Sequence, residues 1–439
     1  MAAGLQPADA AIARRVLDLL WKINASQWWP ADRHLANQLR LLQQLAAHAA
    51  AAVPFYRDRL EPLLGRPDGS LTLEDLRRVK VVGRKEVQQA GPALFSTALP
   101  RDHGGMGRFT TSGSSGMPLE GRRSGRAVLI NQAVSLRYHR WHGRDPMASN
   151  LTFRHLDGDR KETRGPWAQP LGAGPGWVLN NSRPIDELAA ALRRIDPAYL
   201  QGQPSILRAV IEEGGEPPGA LREVRTFGET VDERLRLLCR EAWGVPLVDN
   251  YSSEETGIMA VECPSGEGYH VQSEQVLIEI LGEDGQPCAP GEIGEIVVTT
   301  LQNHAAPLIR YAIGDVAEQG GACGCGRAMP LLRRVLGRVR HLVVLPDGRR
   351  VQPYFDEDAM LQAAPGLRQY QLVQTSLEEI EARVAAERPL GEAEQAALGR
   401  CLGEAFGHPF RFRFVHREAI PRGPRGKYEV FRSEVGAAA

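Results

Sequence analysis

The sequence predicts an α/β protein: a large N-terminal domain with parallel or mixed sheets and flanking helices, then a small C-terminal α+β domain. Three observations predict it. The chain has 439 residues, more than one hydrophobic core usually serves, so it divides. Between Asp186 and Asp249 helix-like and strand-like segments alternate, the pattern of a parallel sheet with crossover helices. The C-terminal end carries a strand–helix–strand pattern of its own. A boundary near Arg340 therefore separates domains 1–339 and 340–439.

Taken in order, residues 8–23 place Ile12, Val16, Leu19, Leu20 and Ile23 on one helical face. Residues 34–50 repeat the pattern with Leu35, Leu39, Leu42 and Leu45. Pro54 then breaks the helix, because proline disfavours a helical conformation in the residue before it. Leu71 to Ala90 predicts a further short helical stretch, and these front pieces read as scaffold. Arg126 to His142 is helical in pattern. Helices are predicted over Asp186 to Ile195 and Ser205 to Glu213, with strands over Ala198 to Gln201 and Glu223 to Phe227. A helix starting at Thr230, with Glu233 completing a capping box, ends near Gly244. Val245 to Asp249 is the next strand. Val276 to Leu281 and Glu295 to Leu301 predict two more, and Arg333 to Leu345 a strand–turn–strand about Gly337. In the C-terminal domain, Glu378 to Ala385 and Phe410 to His416 suit strands, with a helix from Glu392 to Phe406 between them.

Composition narrows the function. Lys plus Arg equals Asp plus Glu, 53 against 53, with no long basic stretch, which disfavours a nucleic-acid partner. No apolar run reaches the roughly 18 residues that span a bilayer, so no membrane partner is expected. Asp9, Arg14 and Arg15 interrupt the N-terminus, unlike a signal peptide. Six cysteines in this length fit a reducing compartment, and the expectation is a cytoplasmic protein, with a homodimer left open.

The stretch Phe109 to Pro118 is rich in small residues: Thr111, Ser112, Gly113, Ser114, Ser115 and Gly116 follow one another. Such residues let the backbone turn tightly and aim N–H and hydroxyl donors at phosphate oxygens, although a Gly/Ser connector has the same composition. No Gly-Lys-Ser/Thr ends it, so it is not a Walker loop. Ligands of parallel sheets sit beyond the carboxyl ends of the strands. Two such positions here are polar: Gly228-Glu229-Thr230, and Asn250-Tyr251-Ser252-Ser253-Glu254-Glu255-Thr256-Gly257. The second offers a ring able to stack on a base and carboxylates able to hold magnesium against phosphates. Asp315 suits a pair of ribose hydroxyls. Gly337-Arg338 follows, then Lys427 in a Gly/Pro/Arg loop.

In order and spacing, these segments resemble the adenylate-forming superfamily of acyl-CoA synthetases, most closely the phenylacetate–coenzyme A ligase family. The resemblance spans nearly the whole chain and includes Val53-Pro54-Phe55-Tyr56-Arg57 and Leu73-Glu74-Asp75-Leu76. It implies that Thr110 to Pro118 is the phosphate loop, that Tyr251 stacks on adenine and that Glu255 holds magnesium. It further implies that Gly228, Glu229, Asn250 and Ser252 line the nucleotide site, that Asp315 binds ribose and that Arg338 stands beside the domain hinge. The resemblance also implies that Lys427, on a small mobile domain, bridges carboxylate and phosphate during adenylation. The implied cofactors are ATP and magnesium. The implied reaction activates a carboxylic acid, aryl or arylacetic, and transfers it to coenzyme A. An amine or a carrier protein is the alternative acceptor, and a catalytically weak nucleotide-binding homologue the alternative class.

The chain departs from the family pattern at three places. Met117 stands where lysine is common, so Arg122 or Arg123 is expected to replace that phosphate contact. Glu254 stands where Thr or Ser is usual, and Arg340 where Asp or Lys is usual. A second constellation, Cys263, His270, Cys323 and Cys325, offers three sulfurs and an imidazole, a tetrahedral zinc set. The alternative is a group of unrelated reduced thiols. Four protein ligands would close the site, so the expected zinc is structural.

Overall fold

The computed structural model describes every residue except 1–6, 66–69, 111–118, 157, 159, 164–173, 215, 339–342, 352, 354, 356, 422–429 and 436–439. The small-residue loop Thr111, Ser112, Gly113, Ser114, Ser115, Gly116 with Met117, and also Arg340 and Lys427, lie outside the described residues. The chain separates into two compact units, Met1–Val335 and Leu336–Ala439.

Within the first unit, a six-stranded sheet runs in the order Arg160–Thr163, Gly176–Asn180, Asn150–Arg154, Tyr199–Gly202, Glu223–Thr226, Leu247–Val248. All neighbours are parallel except the first pair. Parallel strands need crossovers, and the amphipathic helices Ile185–Ile195, Pro204–Glu212 and Glu233–Trp243 supply them. Their apolar stripes bury Leu188, Leu192, Ile206, Leu207, Val210 and Leu235 against Leu151, Leu200 and Val224 of the sheet. The last of these helices starts later than its sequence suggested. Asp232, not Thr230, caps it, the carboxylate accepting from Leu235 N at 2.8 Å.

A seven-stranded sheet follows in the order Val276–Leu281, Ile293–Thr300, Tyr311–Gln319, Leu331–Arg338, Tyr269–Val271, Gly257–Glu262, Asn250–Ser253. Helix Ala31–Ala52 packs Leu41, Leu42, Leu45 and Ala49 against it, together with Tyr56 and Leu60 from the turn that Pro54 forces. The stretch 71–90 is two short helices, Leu73–Arg77 and Arg84–Ala90, because Val82 between them bridges to Tyr311 at the sheet. Gly337 lies inside the strand Leu331–Arg338 with φ +90 and does not turn the chain there, against expectation.

Helix Pro7–Ser26 packs on helix Gly125–Trp141 through Val16, Leu20, Ile23, Ile130 and Val134. Arg137, fully buried, joins the two to the seven-stranded sheet's edge. It donates to Ile23 O at 2.8 Å and to both oxygens of Glu274 at 2.9 Å. No helix among the described residues is long and apolar enough to cross a membrane.

The second unit has a four-stranded sheet in the order Arg411–His416, Glu379–Ala386, Leu367–Gln374, Phe431–Ser433, covered by helix Glu392–Phe406. Phe406 is the centre of its core, touching the rings of Phe355, Phe410 and Phe431.

Candidate active site

The polar stretch 250–257 is a hairpin. Asn250–Ser253 pairs antiparallel with Gly257–Glu262, and Glu254, Glu255 and Thr256 form the turn. Ser253 Oγ accepts from the backbone N–H of both Glu255 and Thr256 at 3.2 Å, a serine-capped turn. Gly257 has φ +76, and a Cβ there would lie 2.4 Å from Asn131 Oδ1, which accepts from Ile258 N at 2.9 Å. Only glycine fits at that point, and the turn is thereby docked on helix Gly125–Trp141.

The two acidic residues of the turn have different surroundings. The Glu255 side chain is 7 % exposed and paired with Arg84 at 2.9 Å; the Glu254 side chain is 48 % exposed and stands 3.7 Å from Arg123. Asn250 Nδ2 donates to Thr226 O at 3.1 Å, joining this hairpin to the parallel sheet. Next to it, buried Asp249 accepts from Thr226 Oγ1 at 2.5 Å and from Tyr269 OH at 3.0 Å. Burial pushes this carboxyl up to about 6, assisted by neighbouring Glu262 and opposed by the Thr226 and Tyr269 hydrogen bonds.

Tyr251 and Asp315 meet. The phenol donates to Asp315 Oδ2 at 2.7 Å across 64 residues of sequence, both residues being buried. Asp315 is held in register by its strand, which begins beside Arg310. That residue has φ +50, and its guanidinium binds Glu279 at 3.0 Å and the carbonyls of Arg77 and Val79 at 2.7 Å. Arg310 is thus a structural clamp for the strand.

Gly228, with φ +78, follows the strand Glu223–Thr226. Glu229 turns to the neighbouring helix Pro204–Glu212, its carboxylate accepting from Ser205 N at 2.9 Å and Ser205 Oγ at 3.1 Å. That contact suits a carboxylate at a helix N-terminus. Ser252 lies on the hairpin opposite Ile258, and Arg338 ends the strand Leu331–Arg338. Sequence reasoning missed Arg84, which contacts Glu255, and Asn131, which seats the turn. Neither belongs to a local pattern that would have exposed it.

Cys263, His270, Cys323 and Cys325 converge, with their ligand atoms all within 4.8 Å of one another. Cys263 and Cys323 Sγ are 3.7 Å apart, and His270 Nε2 is 3.2 Å from Cys325 Sγ. Two zinc-bound sulfurs on a tetrahedron with bonds of about 2.3 Å stand about 3.8 Å apart, and a sulfur and an imidazole nitrogen about 3.5 Å. The donor set and spacing fit that ion. His270 Nδ1 faces the Met329 carbonyl at 3.4 Å, which leaves the Nε2 lone pair for a metal. Burial draws this imidazole down to about 4, so it is neutral at pH 7. Gly268, with φ +140, allows the close approach, since a Cβ there would sit 2.4 Å from Leu332 O.

No family model matches the chain. Among curated proteins it is 26 % identical over 384 residues to a phenylacetate–coenzyme A ligase of Thermus thermophilus, covering 82 % of this chain and 83 % of that protein. A phenylacetate–coenzyme A ligase of Escherichia coli is 26 % identical over 341 residues, covering 74 % and 75 %. Among solved structures, 2-hydroxyisobutyryl-CoA ligase in the postadenylation state, bound to 2-HIB-AMP, superposes with a TM-score of 0.72 at 20 % identity, covering 93 % of this chain and 91 % of that one. The fold is therefore shared with an acyl-CoA ligase.

Proposed function

We propose that this chain, a relative of the phenylacetate–coenzyme A ligases, is an ATP-dependent acid–thiol ligase that forms an acyl-adenylate and then a coenzyme A thioester. The observation that carries the reading is the meeting of Tyr251, four residues before buried Glu255 in the chain, with Asp315 at 2.7 Å. That contact supports reading the two residues as neighbouring adenine and ribose contacts. In the first step the substrate carboxylate oxygen bonds to the α-phosphorus and the bond from α-phosphorus to the bridging oxygen breaks. Pyrophosphate leaves with that electron pair. In the second, the thiol sulfur bonds to the acyl carbon, AMP departs and the thiol proton passes to solvent.

Both steps bring anions together, so positioning and charge neutralisation carry the catalysis. Tyr251 presents its ring to adenine while its hydroxyl orients Asp315 towards the ribose hydroxyls. Glu255 holds magnesium. Gly228, Glu229, Asn250, Ser252 and the segment Thr111 to Gly116 contribute to nucleotide binding. Lys427 neutralises carboxylate and α-phosphate during adenylation, and Arg338 serves the hinge. An aryl or arylacetic acid is the substrate class. Zinc on Cys263, His270, Cys323 and Cys325 ties the loop after strand Gly257–Glu262 to the segment before Leu331 and has a structural role. Mixing the protein with ATP, magnesium and a panel of aryl and arylacetic acids tests this reading. Pyrophosphate release dependent on one acid, followed by a thioester on adding coenzyme A, is expected. Release without thioester would redirect the second step to an amine or carrier protein, and no release with any acid would refute the activity.

A further inference from the structure

The strands on either side of the small-residue stretch pair with each other, Met106–Thr110 against Glu120–Ser124, with Phe109 opposite Gly121 and Gly107 opposite Arg123. Alternation puts all four on one face. The Phe109 ring lies directly on Gly121, where an added Cβ would be 2.2 Å from Phe109 Cζ. The Arg123 guanidinium carbon also lies over that ring, 4.4 Å from its centroid. Its Nη2 donates to the Glu254 carbonyl and lies 3.7 Å from the Glu254 carboxylate. A planar, five-donor cation is thus aimed at the Glu254–Glu255 turn by a ring, a glycine and a carboxylate. Arg122, on the opposite face, lies over Phe95 at 4.4 Å, and Asn303 holds its backbone carbonyl at 2.9 Å.

We propose that Arg123 is the polyphosphate-binding cation of the nucleotide site, donating to the β- and γ-phosphates of magnesium ATP and to the departing pyrophosphate. This rests on the nucleotide reading above and gives Glu254 a role: it anchors the guanidinium, while Glu255 holds the metal. A guanidinium fits phosphate oxygens in pairs, and stacking on Phe109 restricts it beforehand, so little ordering remains on binding. Burial lowers the affinity of this guanidinium for its proton and Glu254 and Glu255 oppose that, so the group stays charged.

The test compares ATP with AMP, since only ATP carries the phosphates assigned to Arg123. Titration calorimetry of the full chain with magnesium ATP, and separately with AMP, is run on wild type, Arg123→Gln, Arg123→Lys and Gly121→Ala. Arg123→Gln should weaken ATP about 10- to 100-fold, the range for a lost hydrogen bond to a charged group. It should leave AMP within about twofold. Gly121→Ala, which displaces Phe109, should repeat the ATP-selective loss. Arg123→Lys keeps the charge without the fork, so an intermediate ATP-selective loss is expected, and this variant carries the test if the glutamine variant does not fold. Equal losses for both nucleotides, or no loss for either, would overturn the assignment while leaving the nucleotide site standing. Wild type that binds neither nucleotide would overturn the site and the assignment together.

Discussion

Replacing Tyr251 by phenylalanine keeps the ring but removes the hydroxyl that donates to Asp315. At 2.7 Å between buried groups this is a hydrogen bond to a carboxylate, a class that contributes about 1.5–3 kcal/mol. Asp315 has a further partner, so the lower end of that range applies. About 1.5 kcal/mol corresponds to roughly tenfold in affinity. Tyr251→Phe should therefore weaken AMP about tenfold, with stacking on adenine retained. Asp315→Asn should cost more, because it also alters the ribose contact. The decisive measurement is the double-mutant cycle, read by calorimetric titration with AMP. If the phenol acts by orienting Asp315, the double variant is less impaired than the sum of the singles by about 1 kcal/mol. Strict additivity would refute the coupling, and unchanged AMP affinity in both single variants would remove the pair from the nucleotide site.

Glu255→Gln should depress the magnesium-dependent step far more than Glu254→Gln, since Glu255 is 7 % exposed and Glu254 is 48 % exposed at its side chain; equal losses in pyrophosphate release would show the turn to be misread. Lys427→Ala should abolish adenylation while preformed acyl-adenylate still reacts with coenzyme A, and a normal rate of adenylate formation would remove that role. Elemental analysis should find about one zinc per chain, and Cys323→Ser should lower Tm and ATP affinity together. Metal-free protein of unchanged Tm would eliminate the site. The pH dependence follows from His304, which burial, then His103 and His48 beside it, draw from 6.5 down to about 3. Below pH 6.5 the unfolded chain takes up a proton that the folded chain refuses, so stability falls as pH drops through the window from 6.5 towards 3. Between pH 7 and 5 this amounts to about 1–2 kcal/mol in urea unfolding, and His304→Gln should flatten that slope.

Elements with a strong period were legible from sequence. The helix Glu392–Phe406 has its predicted ends because Gly391 and Gly407 punctuate an amphipathic run. Two of the three crossover helices, Ile185–Ile195 and Pro204–Glu212, lie within a residue of where alternation placed them, and the third starts later, at Glu233. Errors arose where long-range pairing overrides local pattern. Val82 splits the 71–90 stretch by bridging to Tyr311, and Gly337 is drawn into a strand by its sheet. The hairpin Met106–Thr110/Glu120–Ser124 escaped notice, since Gly-Arg-Phe-Thr and Gly-Arg-Arg-Ser have no apolar alternation to read.

The sequence by itself determined which chemistry the chain carries: an aromatic and two carboxylates in one turn, an aspartate 64 residues on, and four metal-type ligands in two loops. Residue type and local spacing are one-dimensional properties, so they survive without a fold. Only the tertiary structure decided which of these groups touch. It put the Tyr251 hydroxyl on Asp315, Arg84 on Glu255, and Arg123 rather than Arg122 beside Glu254. The reason is geometric. Adjacent arginines differ by one residue in sequence, but on a strand they point to opposite faces, and the ring of Phe109 over a bare Gly121 decides which face meets the turn.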